Sequence, residues 1–228
     1  MGKNMKPTII FDMDGVIIKS EQLWDLYEPA YLRRILGPAI ANQLIGTTRG
    51  QAMSITYQRA RALGHTGTKE DFYAGYGELA VDIYANGPIT EGIDTLIGKL
   101  HAEGVCLGLV SSSPMDWIMP VVHRLRHGNE FAYIESVNDH PDLHPKPSPD
   151  GYIAAMNALG SQPSHTLIIE DSQTGINAAI ASGAHVCCFT LHHDGELPHG
   201  VETYAHSAAE LETICLNFLN AHTADRTL

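Results

Sequence analysis

The chain has 228 residues, 44% of them hydrophobic, enough to bury a substantial core in one large domain or in one domain carrying a smaller insert. Its 14 Lys and Arg stand against 26 Asp and Glu, a formal charge of −12 that repels nucleic acid and anionic membrane surfaces, and no basic stripe offsets it. No stretch approaches the roughly 20 apolar residues of a membrane span, Met1 to Pro7 carries no apolar signal region, and the four cysteines sit among apolar neighbours without a CxxC pair. The expectation is a cytoplasmic monomer with reduced, buried thiols.

Short apolar runs that read as buried strands fall at 8–13, 105–110, 132–137, 166–170 and 185–189. Helical patterns at 90–103, 114–127, 149–160, 172–183 and 207–220 alternate with them, with Pro114 and Pro149 suited to first turns and Gly160 and Gly183 to helix ends. Strand–helix alternation of this kind predicts a parallel α/β sheet. The interval between the first strand and the one at 105 is far too long for a single crossover helix. Residues 21–36, 49–63 and 69–85 read as helices separated by glycine-rich turns, so about 19–86 is expected to be a small helical insert, with 1–18 and 87–228 forming the core.

In such a sheet, ligands bind beyond the carboxyl ends of the strands. The residues that close the strands here are unusually polar: Phe11-Asp12-Met13-Asp14-Gly15, Val110-Ser111-Ser112-Ser113 and Ile169-Glu170-Asp171-Ser172, with Lys146 held between Pro145 and Pro147. Asp12 and Asp14, two apart on extended chain, project the same way and repel unless a cation separates them or one is protonated. Glu170 and Asp171 add charge at the same rim, and clustered carboxylates suit a hard, oxygen-seeking ion such as Mg²⁺. The plainer alternatives are that Asp14 and Asp171 are helix N-caps and Lys146 a solvated lysine. Taken together, the set suits a phosphate: cations neutralise its oxygens, a serine donates to it, and a carboxylate attacks.

These residues resemble the four motifs of the haloacid dehalogenase superfamily, in order and over nearly the whole chain. Asp12-Met13-Asp14-Gly15-Val16 is similar to the first motif, Ser111 to the second, Lys146-Pro147-Ser148-Pro149-Asp150 to the third and Glu170-Asp171-Ser172-Gln173-Thr174-Gly175 to the fourth. The insert resembles the helical cap of the subfamily that includes β-phosphoglucomutase and sugar-phosphate phosphatases. The resemblance implies a Rossmann-like core, an aspartyl-phosphate on Asp12, Asp14 as acid then base, and Mg²⁺ held by Asp12, the Asp14 carbonyl and Asp171 with Glu170 in support. It further implies that Ser111 and Lys146 hold the phosphoryl oxygens. In the insert, Gly46-Thr47-Thr48-Arg49 resembles a segment that offers an arginine to the substrate, and Ser20-Glu21-Gln22-Leu23-Trp24 a stretch found in the phosphatases; Arg49, Glu21 and Ser112 are therefore the candidate substrate contacts.

The sequence departs from the pattern at Lys19, where an acid is usual, and at Pro114-Met115, where a mutase carries polar sugar-contacting residues. No lysine lies between Tyr73 and Tyr84, where a mutase would be expected to offer one. The implied activity is hydrolysis of a small sugar or polyol phosphate, with a phosphomutase as the alternative.

Overall fold

Thr8–Phe11 forms β1, four buried residues whose side chains are apolar apart from Thr8, as a strand covered on both faces requires. The computed structural model describes residues 6–48, 53–193 and 196–223. Following β1 come helices α1 (Glu21–Leu36), α2 (Pro38–Leu44), α3 (Met53–Ala62), α4 (Lys69–Asn86) and α5 (Ile93–Ala102). The chain then alternates through β2 (Cys106–Ser111), α6 (Met115–Arg124), β3 (Phe131–Ser136), α7 (Asp150–Leu159), β4 (Thr166–Glu170), α8 (Gln173–Ala181) and β5 (His185–Phe189), and ends with β6 (Thr203–Ala205) and α9 (Ala208–Thr223). No helix among the described residues is long and apolar enough to cross a membrane.

The six strands make one sheet in the order β3-β2-β1-β4-β5-β6, and every pairing is parallel. Chain order runs outward from β1 in both directions, so β1, between β2 and β4, is the topological switch point and its carboxyl end is where a crevice opens. Ile10, Val110, Val137 and Ile168 pack on one side with Tyr152, Ala155 and Met156 of α7 and Ala178 and Ala179 of α8. That cluster seats α7 and α8 against β1, β2 and β4.

Several boundaries differ from the sequence expectation. The first strand stops at Phe11 rather than 13, because the backbone turns at Gly15 with φ +77°. The helix expected over 114–127 ends at Arg124 and gives way to a separate 3-10 turn at Gly128–Glu130. Neither α2 nor β6 was expected; both are very short. The third insert helix is described only from Met53, and the expected start at 49 lies outside the described residues.

By its internal contacts the chain divides into two compact units, Met1–Ile18 with Ile89–Leu228, and Lys19–Pro88. The second is helical, and an aromatic cluster forms its core: the ring centroids of Tyr31 and Tyr76 lie 4.8 Å apart, those of Phe72 and Tyr76 5.1 Å, and those of Trp24 and Tyr76 5.7 Å. Trp24 Nε1 donates to Tyr84 Oη at 3.2 Å. Glu28 accepts from the hydroxyls of Thr48 and Tyr76, each at 2.5 Å, which satisfies both partly buried carboxylate oxygens. Asp25, Glu28, Pro29, Ile45 and Gly46 line a recess of about 320 Å³ in this unit. Glu21 opens α1.

Candidate active site

Asp12 follows β1 directly, and its amide still donates to the Ile169 carbonyl of β4 at 2.9 Å, so the last ladder bond fixes the backbone that carries its side chain. Asp12, Glu170 and Asp171 are all buried, and one oxygen from each lies within 4.8 Å of the others. Lys146 Nζ donates to Asp12 Oδ1 and to Glu170 Oε1, both at 2.5 Å, from a side chain only 9% exposed. The structure thus places Asp12, Lys146, Glu170 and Asp171 in one group, although Asp12 and Lys146 are 134 residues apart.

Glu170 anchors the group. Its Oε1 accepts from Lys146 and from the buried hydroxyl of Tyr152 at 2.6 Å, while Oε2 accepts from the amides of Asp171 and Ser172 and from Ser172 Oγ. With protein donors on both oxygens, this carboxylate is held in one orientation. Tyr152 also sets its ring face 5.1 Å from Lys146 Nζ. Sequence reasoning passed over Tyr152, because a tyrosine early in an amphipathic helix looks like any core residue.

Asp14 stands apart from the three-carboxylate group: its Oδ2 accepts from Ser113 Oγ at 2.8 Å. Ser111 is fully buried, and its Oγ accepts from the Ser113 amide at 2.9 Å. The Ser112 carbonyl accepts from the Asn138 side-chain amide. The N-cap alternative for Asp171 does not hold, since Ser172 caps α8 by accepting from the Gly175 amide at 3.0 Å. Arg49 lies outside the described residues.

Burial pushes the Asp12 carboxyl well above the ordinary carboxylate value, against the attraction of Lys146 and with the repulsion of Glu170 and Asp14. Burial acts on Lys146 in the opposite sense, yet Asp12 and Glu170 hold its ammonium up, well above the usual lysine value. One ammonium therefore serves a cluster of acids, an imbalance that a further cation would relieve. The backbone is also shaped for a crowded acidic centre. A Cβ at Gly15 would sit 1.8 Å from Asp171 Oδ2. An all-oxygen donor set of this kind fits Mg²⁺. The thiol of Cys188, paired in register with Glu170, is pushed up to about 12 by burial and then by Asp171 and Glu170, so it stays protonated and takes no part.

Gly175 meets the same crowding, since a Cβ there would lie 1.9 Å from Glu170 Oε1. Alanine is favoured over glycine inside a helix by roughly 1 kcal/mol, but the clash displaces the carboxylate that holds Lys146 and Tyr152, at a cost of about 1–3 kcal/mol. Gly175→Ala is expected to be destabilising overall and to lower activity; a variant that melts above wild type with full activity would show that Glu170 moves freely.

The loop bearing Lys146 is held by Asp150, which accepts from Ser148 Oγ at 2.6 Å and the His144 amide at 2.9 Å, with His144 Nδ1 at 2.7 Å. The Ser148 bond, then those from His144, hold the Asp150 carboxyl down at about 2. A depressed carboxylate contributes stability above its unfolded value, and that stability is lost as pH falls through about 2. Asp150→Asn is therefore expected to melt below wild type at pH 7, with the gap closing as the pH is lowered from about 4 toward 2. Parallel melting curves of the two proteins over that range are the check.

A parallel sheet whose switch point carries a buried acid, a lysine and a carboxylate anchor has the build of an α/β enzyme with its site at the strand ends. A model for the haloacid dehalogenase-like hydrolase family matches residues 9–189, and the chain belongs to that family. Among curated relatives, a phosphoglycolate phosphatase of Salmonella typhimurium is 26% identical over 200 residues, covering 77% of each chain. A (DL)-glycerol-3-phosphatase of Arabidopsis thaliana is 22% identical over 194 residues, covering 81% of this chain and 64% of that one. Among solved structures, β-phosphoglucomutase from Clostridium difficile superposes with a TM-score of 0.74 at 21% identity, covering 96% of this chain and 100% of that one, a likeness of fold.

Proposed function

We propose that the chain is a Mg²⁺-dependent phosphatase that hydrolyses a small phosphomonoester, a sugar or polyol phosphate, through an aspartyl-phosphate on Asp12. The observation that carries this reading is the placing of Asp12 at the sheet's switch point, bonded to Lys146 and clustered with Glu170 and Asp171. The curated relatives named phosphoglycolate phosphatase and (DL)-glycerol-3-phosphatase support a small phosphorylated substrate. Asp12, Asp171 and the Asp14 carbonyl would hold the metal. When bound, it would supply positive charge to the phosphoryl oxygens and lessen their repulsion of the Asp12 carboxylate.

In the first half-reaction, an Asp12 carboxylate oxygen bonds to phosphorus as the bond to the ester oxygen breaks, and Asp14 gives its proton to that leaving oxygen. In the second, Asp14 takes a proton from water as the water oxygen bonds to phosphorus and the Asp12 oxygen leaves. An acid spent in one step is the natural base for the next. Lys146 and Ser111 stabilise the transferring oxygens, and the helical unit serves as the cap that selects the substrate.

The test is phosphate release from a panel of sugar, polyol and two- and three-carbon acid phosphates, with Mg²⁺ and with chelator. Metal-dependent release is expected. Turnover unaffected by chelation, or exchange between phosphate isomers without net release, would overturn the reading.

A further inference from the structure

Ser113 uses three of its groups to tie together three strand ends. Its amide donates to Ser111 Oγ at 2.9 Å, just past β2. Its hydroxyl donates to Asp14 Oδ2 at 2.8 Å, across 99 residues of sequence. Its carbonyl accepts from Ser136 Oγ, at the end of β3, at 2.9 Å, and Ser136 Oγ accepts in turn from the Asp139 amide at 3.2 Å. Ser113 is itself buried, and Pro114 after it, the N-cap of α6, has a restricted backbone. The residue is thus pinned from behind while its amide and hydroxyl point at two groups that the proposed reaction uses.

We infer that Ser113 is a positioning residue: its hydroxyl fixes the rotation of the Asp14 carboxyl, and its amide fixes the hydroxyl of Ser111. A serine oxygen that accepts from a backbone amide has its one O–H directed elsewhere, and the proposed reaction assigns that of Ser111 to a phosphoryl oxygen. A carboxyl with one oxygen tied presents its other oxygen from a constant direction, the condition for efficient proton transfer. The inference rests on the phosphatase reading above, and it concerns the P–O cleavage step alone: the ester bond breaks, Asp12 gains the phosphoryl group, and the Asp14 proton goes to the departing oxygen.

Leaving-group chemistry separates this role from a merely structural one. An alkoxide is a poor leaving group and needs the proton, whereas p-nitrophenolate departs largely without it. Removing the Ser113 hydroxyl should therefore penalise alkyl phosphates more than p-nitrophenyl phosphate. The quantity to compare is kcat/KM, which covers steps only through formation of the aspartyl-phosphate and so excludes the later role of Asp14 as base.

The experiment measures kcat/KM of wild type, Ser113→Ala and Ser113→Thr toward glycerol phosphate and p-nitrophenyl phosphate with saturating Mg²⁺. The alkyl-to-aryl ratio is expected to fall about tenfold or more in Ser113→Ala, a part of the ~10²–10⁴ that general acid catalysis supplies, and to recover in Ser113→Thr, which keeps the hydroxyl. If Ser113→Ala does not fold, Ser113→Cys, a weak donor of similar size, takes its place with the same expected fall. An unchanged ratio in a folded variant, whatever the absolute rates, would overturn the inference and leave the phosphatase reading standing. A wild type inert toward p-nitrophenyl phosphate and toward every alkyl phosphate of the panel would overturn the reading and the inference with it.

Discussion

Asp12→Asn is expected to abolish turnover, lowering kcat/KM by on the order of 10⁴-fold or more, because an amide cannot form the acyl-phosphate on which the proposed reaction depends. The loss should come without loss of fold. Asn has nearly the shape of Asp, and Lys146 keeps its 2.5 Å bond to Glu170 when Asp12 is neutral. Burial already pushes the Asp12 carboxyl toward its neutral form, so exchanging it for an amide removes a charge that the metal-free protein holds poorly. Without Mg²⁺ the variant should melt within a few degrees of wild type, or above it. With Mg²⁺ the wild type should gain stability and the variant much less, since one of the metal-holding oxygens has become a weak neutral acceptor. Phosphate release and melting temperature, each measured with and without Mg²⁺, give the four values needed for each protein. Residual activity above about a few per cent would remove Asp12 from the nucleophile's place and send the search to another strand end.

What the sequence made legible follows from which interactions are local. Strands buried on both faces must be continuous apolar runs, and Thr8–Phe11, Cys106–Ser111 and Thr166–Glu170 are nearly that, so the α/β class and the polar strand ends could both be read. Two elements could not. α2 has seven residues, too few to show a helical period, and β6 has three, held in place by its register with Cys187–Phe189 rather than by its own composition. Within the site, the motif residues were legible because each closes or follows a strand or sits between prolines. The bonds that organise them were not: Ser113 to Asp14 and Tyr152 to Glu170 join side chains far apart in sequence, and nothing in a serine or tyrosine codon announces a distant carboxylate. The capping of α8 shows the same limit in miniature, since Asp171 and Ser172 are both good caps and only the geometry chooses Ser172.

The second large effect should come from Lys146→Met, which keeps the volume of the stem and deletes the ammonium. Lys146 is the cation bonded to both Asp12 and Glu170, and its removal leaves buried carboxylates facing one another uncompensated. Breaking a buried ion pair from one side costs about 3–5 kcal/mol, which in a chain of marginal stability is a large fraction of the total. The remaining carboxylates can respond in two ways, and both are measurable. One is protonation: a carboxyl held above its ordinary value favours the folded state most when it is protonated, so the folded state is disfavoured as pH rises through that raised value. The metal-free variant should accordingly lose stability relative to wild type as the pH is raised. The other is metal binding: with the ammonium gone the site is more negative, and a ligand that binds only the folded state stabilises it by about 2.7 kcal/mol at a hundredfold excess over its Kd. Mg²⁺ should therefore raise the melting temperature of Lys146→Met by more than it raises that of wild type, while activity stays depressed by about 10²–10³ because the charge that meets the phosphoryl oxygens is missing. A metal-free variant as stable as wild type at every pH would show that the acids around Asp12 do not depend on Lys146 for their burial. Large recovery of stability by Mg²⁺ without recovery of rate would separate the lysine's two roles, counter-ion to the empty cluster and partner of the transferring phosphoryl group.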